Sequence, residues 1–250
     1  MYRKVGSFAK QVSYPIIAFT LYGFVLALVL PRQIGLTFRY DFSIVIPFIY
    51  LLLGLSFYFS GYKGRLIALS VTLIIFALPL SGLWNSGNSE RYLIGGLFPF
   101  SDAYHYYMDA KRLLIQQPFS DFTARRPLFS AMLAVILFVT KQNLQVTLAL
   151  LVLITACSSY IATREIQKEF GTIPAVLFLT IVFLFYRPLI GKTMTENLGL
   201  PLGLLGLALM IKSSRLNKPI FSFFGIFFTT VSLNARAGAF FVLPAYIIGI

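Results

Sequence analysis

The chain has 250 residues, of which 58% are apolar and 12% are charged, with a formal net charge of +13. Soluble proteins have about 25% charged residues. Together with a mean hydropathy of +0.82, this excludes a soluble enzyme, a disordered chain and a disulfide scaffold, and indicates a polytopic membrane protein. The surplus cations are expected in loops and at helix ends, near anionic headgroups or a phosphorylated substrate. No basic run stands apart from an apolar segment, so no nucleic-acid partner is predicted.

Cysteine and histidine each occur once, as Cys157 and His105. An intrachain disulfide and a multi-histidine metal site are therefore excluded. Three basic residues precede the first apolar run, 14–30, and no small-residue cleavage site follows it. This run is predicted to be an uncleaved spanning helix with the N-terminus in the cytoplasm.

Apolar runs that could cross a bilayer recur along the chain, since a spanning helix needs about 20 apolar residues. The sequence predicts an all-α polytopic membrane protein with about eight or nine apolar helices in a single transmembrane domain, 1–250. The run 127–140 has 14 residues and is predicted to be a partial or re-entrant segment. The last run still continues at residue 250, so further helices are expected beyond it. The other runs are 14–30, 42–60, 66–84, 144–163, 172–190, 195–211, 219–233 and 237–250.

Positive charges give the orientation of this domain. The N-terminal helices, 1–84, lead to a long loop, 85–126, which is expected outside the cytoplasm, and the remaining helices occupy 127–250. If 127–140 does not cross, the segment around Glu196 lies on the same side as the long loop. If it does cross, the two lie on opposite sides.

The long loop contains the most informative segment, since a loop of this length between apolar helices is usually functional. Residues 101–117 show helical spacing and predict an amphipathic helix on the membrane surface, with Ser101 as its N-cap. Its polar face is expected to point to water. The apolar face comprises Ala103, Tyr106, Tyr107, Ala110, Leu113 and Leu114, and the polar face Asp102, His105, Asp109, Arg112 and Gln116.

Each polar residue also has a structural interpretation. Asp102 could complement the helix dipole, and Asp109 could pair with Arg112 or His105 on the same helix. As a group, these acidic and basic side chains fit a site for a phosphorylated lipid.

The spacing of Asp102, Tyr106, Ala110 and Leu113 resembles the first-loop signature of the glycosyltransferase-C superfamily. The likeness continues at Arg126-Pro127-Leu128, which is similar to the start of the next helix in bacterial members. Thr195-Glu196 stands where many members have an acidic pair, and Arg236, Gly238 and Pro244 resemble a later helix start that contains arginine. The resemblance covers roughly 90–250.

The resemblance implies an inverting transferase in the bacterial cytoplasmic membrane, with its active face outward. The donor would be a sugar on polyprenyl phosphate, and Asp102 would be the general base for an unidentified acceptor. His105, Asp109 and Glu196 would support it, and either Asp109 or Glu196 could orient the acceptor or hold a divalent cation. The donor phosphate would be held by Arg125, Arg126, Arg187, Lys192 and Arg236. For Arg187 and Lys192, anchoring of a helix end is the alternative.

Other functions remain open from the sequence. A flippase for lipid-linked saccharides should show mid-membrane charges and repeated halves, whereas the apolar runs here are almost free of charge. A saccharide polymerase or ligase should lack the aspartate at the start of the interfacial helix. A structural membrane subunit would have no chemistry.

Overall fold

The computed structural model describes residues 2–235, and the side chains of residues 15–235. This part of the chain is all-α, apart from one short antiparallel pair, β1 (Leu93–Ile94) and β2 (Phe98–Pro99), in which Ile94 faces Phe98. The helices are α1 (Tyr2–Ala27), α2 (Arg32–Tyr40), α3 (Val45–Tyr58), α4 (Gly61–Ser86), α5 (Asp102–Leu114), α6 (Asp121–Ala124), α7 (Pro127–Val139), α8 (Leu144–Phe170), α9 (Thr172–Tyr186), α10 (Glu196–Leu216) and α11 (Pro219–Ala235). A 3-10 turn, Arg187–Leu189, extends α9.

Four helices of the described chain are long and apolar enough to cross a membrane: α4, α8, α9 with its 3-10 turn, and α10. The end of α1 and α2 form a fifth span if this pair, bent by 116°, is counted as one. The chain is therefore an all-α membrane protein, but the predicted eight or nine spans are not supported. The apolar helices α3, α7 and α11 are shorter, and the run 237–250 lies outside the described residues.

The helices form a bundle with two distinct ends. At one of them, here called the basic end, the Tyr160 hydroxyl donates to the Arg65 carbonyl over 3.0 Å, and Glu165 pairs with Lys168 and Arg215. At the other, here called the loop end, the Thr193 hydroxyl donates to the Ala103 carbonyl over 2.7 Å. The contacts thus separate the basic residues of α8 and α10 from the long loop.

The path of α8 and α9 places α7 entirely at the loop end. The end of α8 lies at the basic end, and α9 returns the chain to Thr193, so α8 also begins at the loop end. Because α7 starts beside α5 and leads directly into α8, it does not cross. Its 13 residues span roughly 20 Å at the usual helical rise, less than the hydrocarbon core of about 30 Å. This length agrees with the partial segment predicted at 127–140, and α10 begins with Glu196 on the same side of the bundle as the long loop.

Close helix contacts occur at glycines. A Cβ on Gly35 of α2 would lie 2.3 Å from the Cα of Gly82 in α4, so neither position accepts a side chain without separating the two helices. A Cβ on Gly206 of α10 would lie 2.9 Å from the Gly225 carbonyl of α11. These contacts hold α2 against α4 and α11 against α10, on either side of the site described next.

Candidate functional site

The amphipathic helix predicted at 101–117 is α5, Asp102–Leu114. Ala103, Tyr106 and Ala110 are buried, and Tyr106 and Ala110 belong to a core cluster that also contains Phe129 of α7. The predicted apolar face is thus the packed face. The predicted N-cap is wrong, because the Ser101 side chain makes no capping hydrogen bond and its φ of 54° lies in the left-handed region.

A cavity of about 450 Å³ lies between α5, α6 and the start of α7. Its inner wall, as we call it, consists of Asp102, Tyr106 and Arg126. Its outer rim consists of Asp121, Phe122 and Arg125, which are all exposed. Within the described part of the chain, the Asp102 carboxylate accepts no hydrogen bond in this structure. The cavity therefore presents the carboxylates of Asp102 and Asp121 together with two guanidinium groups.

The start of α7 fixes Arg126. Pro127 occupies the first turn of the helix, and Arg126 is the residue immediately before it. Proline suits this position because its nitrogen has no hydrogen to leave unsatisfied. Arg126 consequently projects from the helix start towards the cavity, beside Arg125, the last residue before it.

Tyr106 joins three of the predicted site residues. Its side chain is buried, and its phenol lies within the electrostatic influence of the Arg126 guanidinium. Burial raises the pKa of Tyr106; Arg126 opposes this rise, whereas the charges of Asp102 and Glu196 add to it. Asp102 and Arg126 therefore share one cavity with Tyr106, whereas Glu196 acts on this phenol through its charge from outside the cavity lining.

A second cavity, of about 510 Å³, is almost entirely apolar. We call it the apolar groove. It lies between α9, α10 and α11, with Glu196 and Thr195 at the loop end and Leu207 further along α10. Glycine at positions 199 and 203 leaves room for it. Glu196 of this groove lies near enough to the cavity of Asp102 for its charge to raise the pKa of Tyr106 in the cavity wall.

Asp109 does not face water as predicted, and it does not line the cavity. It is 2% exposed, and its two oxygens accept the Ser120 amide at 3.2 Å and the Ser120 hydroxyl at 2.5 Å. Burial disfavours its ionised form, but the hydrogen bonds from Ser120 outweigh this, so the pKa of Asp109 is lowered. Ser120 immediately precedes α6, and Asp109 thereby fixes the helix that carries the outer rim.

His105 also lies outside the lining of the cavity. Its ring is exposed, and its centroid is 4.8 Å from that of Phe122 on the outer rim. The histidine therefore supports an aromatic side chain of the cavity.

Arg187 and Lys192 do not join Arg125 and Arg126. Arg187 is 1% exposed, donates to the Asp41 carbonyl over 2.6 Å and lies over the Phe42 ring. Lys192 is buried and forms an ion pair of 2.6 Å with Glu90. The predicted set of five phosphate-binding cations is thus divided: two line the cavity, two anchor buried backbone and acid groups, and Arg236 lies outside the described residues.

Sequence analysis missed the buried ion cluster at the loop end. Arg39 of α2 is 1% exposed and binds both Glu90 oxygens, and Tyr40 also donates to Glu90. Burial disfavours the ionised carboxylate, but Arg39 and then Lys192 outweigh this and lower the pKa of Glu90 to about 2. The sequence offered one signal: with 8 acidic residues against 21 basic ones, each acid is expected to have a cationic partner.

The predicted divalent cation finds no matching set of ligands in the described residues. No group of three or more histidine, cysteine, aspartate or glutamate side chains comes together there in a way that could hold a metal ion. The cavity brings two carboxylates, Asp102 and Asp121, beside two arginines, and this arrangement suits an anion and hydroxyl groups better than a cation.

Comparisons with protein-family models, curated proteins and solved structures found no match for this chain. The resemblance to the glycosyltransferase-C superfamily accordingly stays a prediction, and the geometry of the cavity carries the functional argument.

Proposed function

We propose that this chain is an integral-membrane glycosyltransferase that moves a sugar from a polyprenyl-phosphate donor to an acceptor hydroxyl. The observation that carries the proposal is the pairing of two sites. A cavity with two carboxylates and two arginines lies at the loop end of the bundle, and an apolar groove between helices has Thr195 and Glu196 at the same end.

The two parts match the two halves of such a donor. An isoprenoid chain is apolar and fits the groove between α9, α10 and α11, whose walls are mostly aliphatic and aromatic. A sugar phosphate is polar and anionic, and it fits the cavity where Arg125 and Arg126 lie. Tyr106 and Glu196 mark the passage from one to the other, at the level where the lipid phosphate would lie.

The reaction follows from these positions. The acceptor oxygen attacks the anomeric carbon, its proton passes to the Asp102 carboxylate, and the bond between this carbon and the phosphate oxygen breaks. The leaving polyprenyl phosphate takes the electron pair, and its charge is stabilised by Arg125 and Arg126. A single direct displacement inverts the anomeric configuration.

The proposed orientation rests on charge. Three basic residues precede the first apolar run, and such residues are enriched on the cytoplasmic side of membrane proteins. The chain leaves α1 at Leu28, whose carbonyl accepts from Ser81 and Asn85 near the end of α4 that leads into the long loop. The loop end, with Asp102 and the cavity, would then face outward, in a bacterium towards the cell envelope.

The experiment that tests this function measures transfer with the whole chain in lipid nanodiscs. Radiolabelled polyprenyl-phosphate mannose, glucose and arabinose are supplied with membrane extracts as acceptor source, and release of polyprenyl phosphate is followed. We expect release with at least one donor, and a loss of about 100-fold when Arg125 and Arg126 are both replaced by glutamine, because one stabilising donor at a transition-state charge contributes about 10²–10³.

Arg91→Gln is the matched control, since Arg91 is exposed on the hairpin and lines neither cavity. Equal rates in the double variant and the wild type would contradict the proposal. So would movement of an intact fluorescent donor across the bilayer without sugar loss, which would favour a flippase instead. Joining of two lipid-linked saccharides would indicate a polymerase or ligase.

A further inference from the structure

Phe122 on the outer rim combines two properties that seldom occur together. It is 41% exposed, yet its ring is held between two other rings, with centroids 4.8 Å from His105 and 5.4 Å from Tyr106. Most exposed aromatic side chains of this chain lie on the apolar surface of the helices, whereas Phe122 lines a polar cavity. The ring therefore belongs to the cavity lining and is positioned there by two aromatic contacts.

Polar groups flank this ring on the same short helix. Asp121 precedes Phe122, and Arg125 lies one turn further, and both line the cavity and are exposed. A carboxylate accepts hydrogen bonds and a guanidinium donates them, so together they can bind neighbouring hydroxyl groups from both sides. An aromatic face bordered by such groups matches a sugar ring, which has apolar C–H faces and a polar edge.

The position of α6 is built into the fold. The buried Asp109 of α5 holds Ser120 by two hydrogen bonds, and Ser120 is the residue from which α6 starts. The outer rim is thus attached to the core through α5 and is not an unsupported loop.

The donor and the acceptor would reach the cavity from different sides. The charge of Glu196, at the loop end of the apolar groove, acts on Tyr106 of the inner wall, so a donor lipid held in the groove would approach the cavity from this side. The outer rim is the exposed side of the cavity. A second substrate would reach Asp102 by passing Asp121 and Phe122.

We infer that the outer rim is the acceptor subsite and that the acceptor is a saccharide, which stacks on Phe122 and binds Asp121 and Arg125 through its hydroxyl groups. This rests on the proposed transferase function and narrows its acceptor from any hydroxyl compound to a glycan.

The experiment measures binding and does not depend on turnover. Maltotriose, chitotriose and mannotriose are tested as probes by saturation-transfer NMR against the whole chain in nanodiscs, with a serine- and threonine-containing peptide as the competing acceptor class. We expect at least one trisaccharide to bind the wild type. Phe122→Ala should weaken this binding about tenfold, because the sugar loses the aromatic ring on which it stacks. Asp121→Asn should weaken it as well.

Phe98→Ala is the matched control, because Phe98 is an exposed phenylalanine of the hairpin outside the cavity. Phe122→Trp keeps a flat ring and should retain binding, which separates stacking from a folding defect. Failure of all three trisaccharides to bind the wild type, equal binding by Phe122→Ala, or binding of the peptide alone would overturn the inference. Saccharide binding that depends on Phe122, without sugar transfer from any donor, would uphold this subsite and refute the transferase proposal.

Discussion

Asp109 and Ser120 are joined twice, by the Ser120 amide at 3.2 Å and by its hydroxyl at 2.5 Å. These bonds connect α5 with α6, which together with Arg125 directly after it contributes half of the cavity lining. A buried carboxylate that is not itself in the cavity therefore determines where Asp121, Phe122 and Arg125 lie.

Replacing Asp109 with asparagine should displace α6. The amide keeps one acceptor but turns a donor towards Ser120, and the loss of a hydrogen bond to a charged group costs about 1.5–3 kcal/mol. We expect about tenfold slower sugar transfer, with folding retained. Arg112→Gln is the control, because the Nε of Arg112 lies 3.8 Å from Asp109 and its loss leaves both Ser120 bonds intact. An Asp109→Asn enzyme as fast as Arg112→Gln would show that α6 needs no such attachment.

Glu90 should matter for stability more than for chemistry. Its carboxylate neutralises Arg39 and Lys192, both buried, and removal of one partner from a buried pair costs about 3–5 kcal/mol. Glu90→Gln should therefore lower the unfolding temperature in detergent markedly. Glu169→Gln, at an exposed position of α8, should change stability by less than about 0.5 kcal/mol. Similar unfolding temperatures for the two variants would disprove the role assigned to the ion cluster.

The ion pairs of Glu90 should also make the stability of the folded chain depend on pH. The pKa of Glu90 is about 2 in the folded chain and 4.5 ordinarily. At a pH between these two values, the Glu90 carboxylate therefore takes up a proton more readily in the unfolded chain than in the folded one. The stabilisation of the folded chain by the ionised Glu90 is complete above pH 4.5 and is lost as the pH falls towards 2. The difference in unfolding temperature between wild type and Glu90→Gln should accordingly narrow between pH 5 and pH 3. A constant difference across this range would contradict the assignment.

The orientation can be tested by labelling. Ala124 is exposed on α6 beside the cavity, and in a Cys157→Ser background Ala124→Cys should react with a membrane-impermeant maleimide added to intact cells. Glu169→Cys, at the basic end, should react only after permeabilisation. The reverse pattern would place the cavity in the cytoplasm.

The sequence predicted those features that depend on local spacing. The helix α5, its packed face and the shortness of the apolar helix after Arg126 all follow from the periodicity and length of apolar runs. The sequence left the side of Glu196 open, and the structure places it at the loop end in the wall of the apolar groove, whereas Asp102 and Arg126 share the other cavity. Their catalytic roles stay predictions.

What could not be predicted depends on contacts between distant segments. Asp109 was placed on a water-facing surface, because helical periodicity does not reveal that residues 116–126 fold back over it. Lys192 and Arg187 were grouped with the phosphate-binding arginines by charge alone, yet their partners, Glu90 and the Asp41 carbonyl, lie about 100 and 146 residues away in sequence. The number of spans was overestimated because α3, α7 and α11 are apolar but short.

The most direct test of the account separates donor binding from transfer in Asp102→Asn. The variant keeps the shape of the cavity and both arginines, so it should bind the polyprenyl-phosphate sugar with unchanged affinity. Because a general base contributes about 10²–10⁴ to the rate, transfer under single-turnover conditions should slow by at least about 100-fold. A folded Asp102→Asn protein that transfers sugar at the wild-type rate would contradict the central claim.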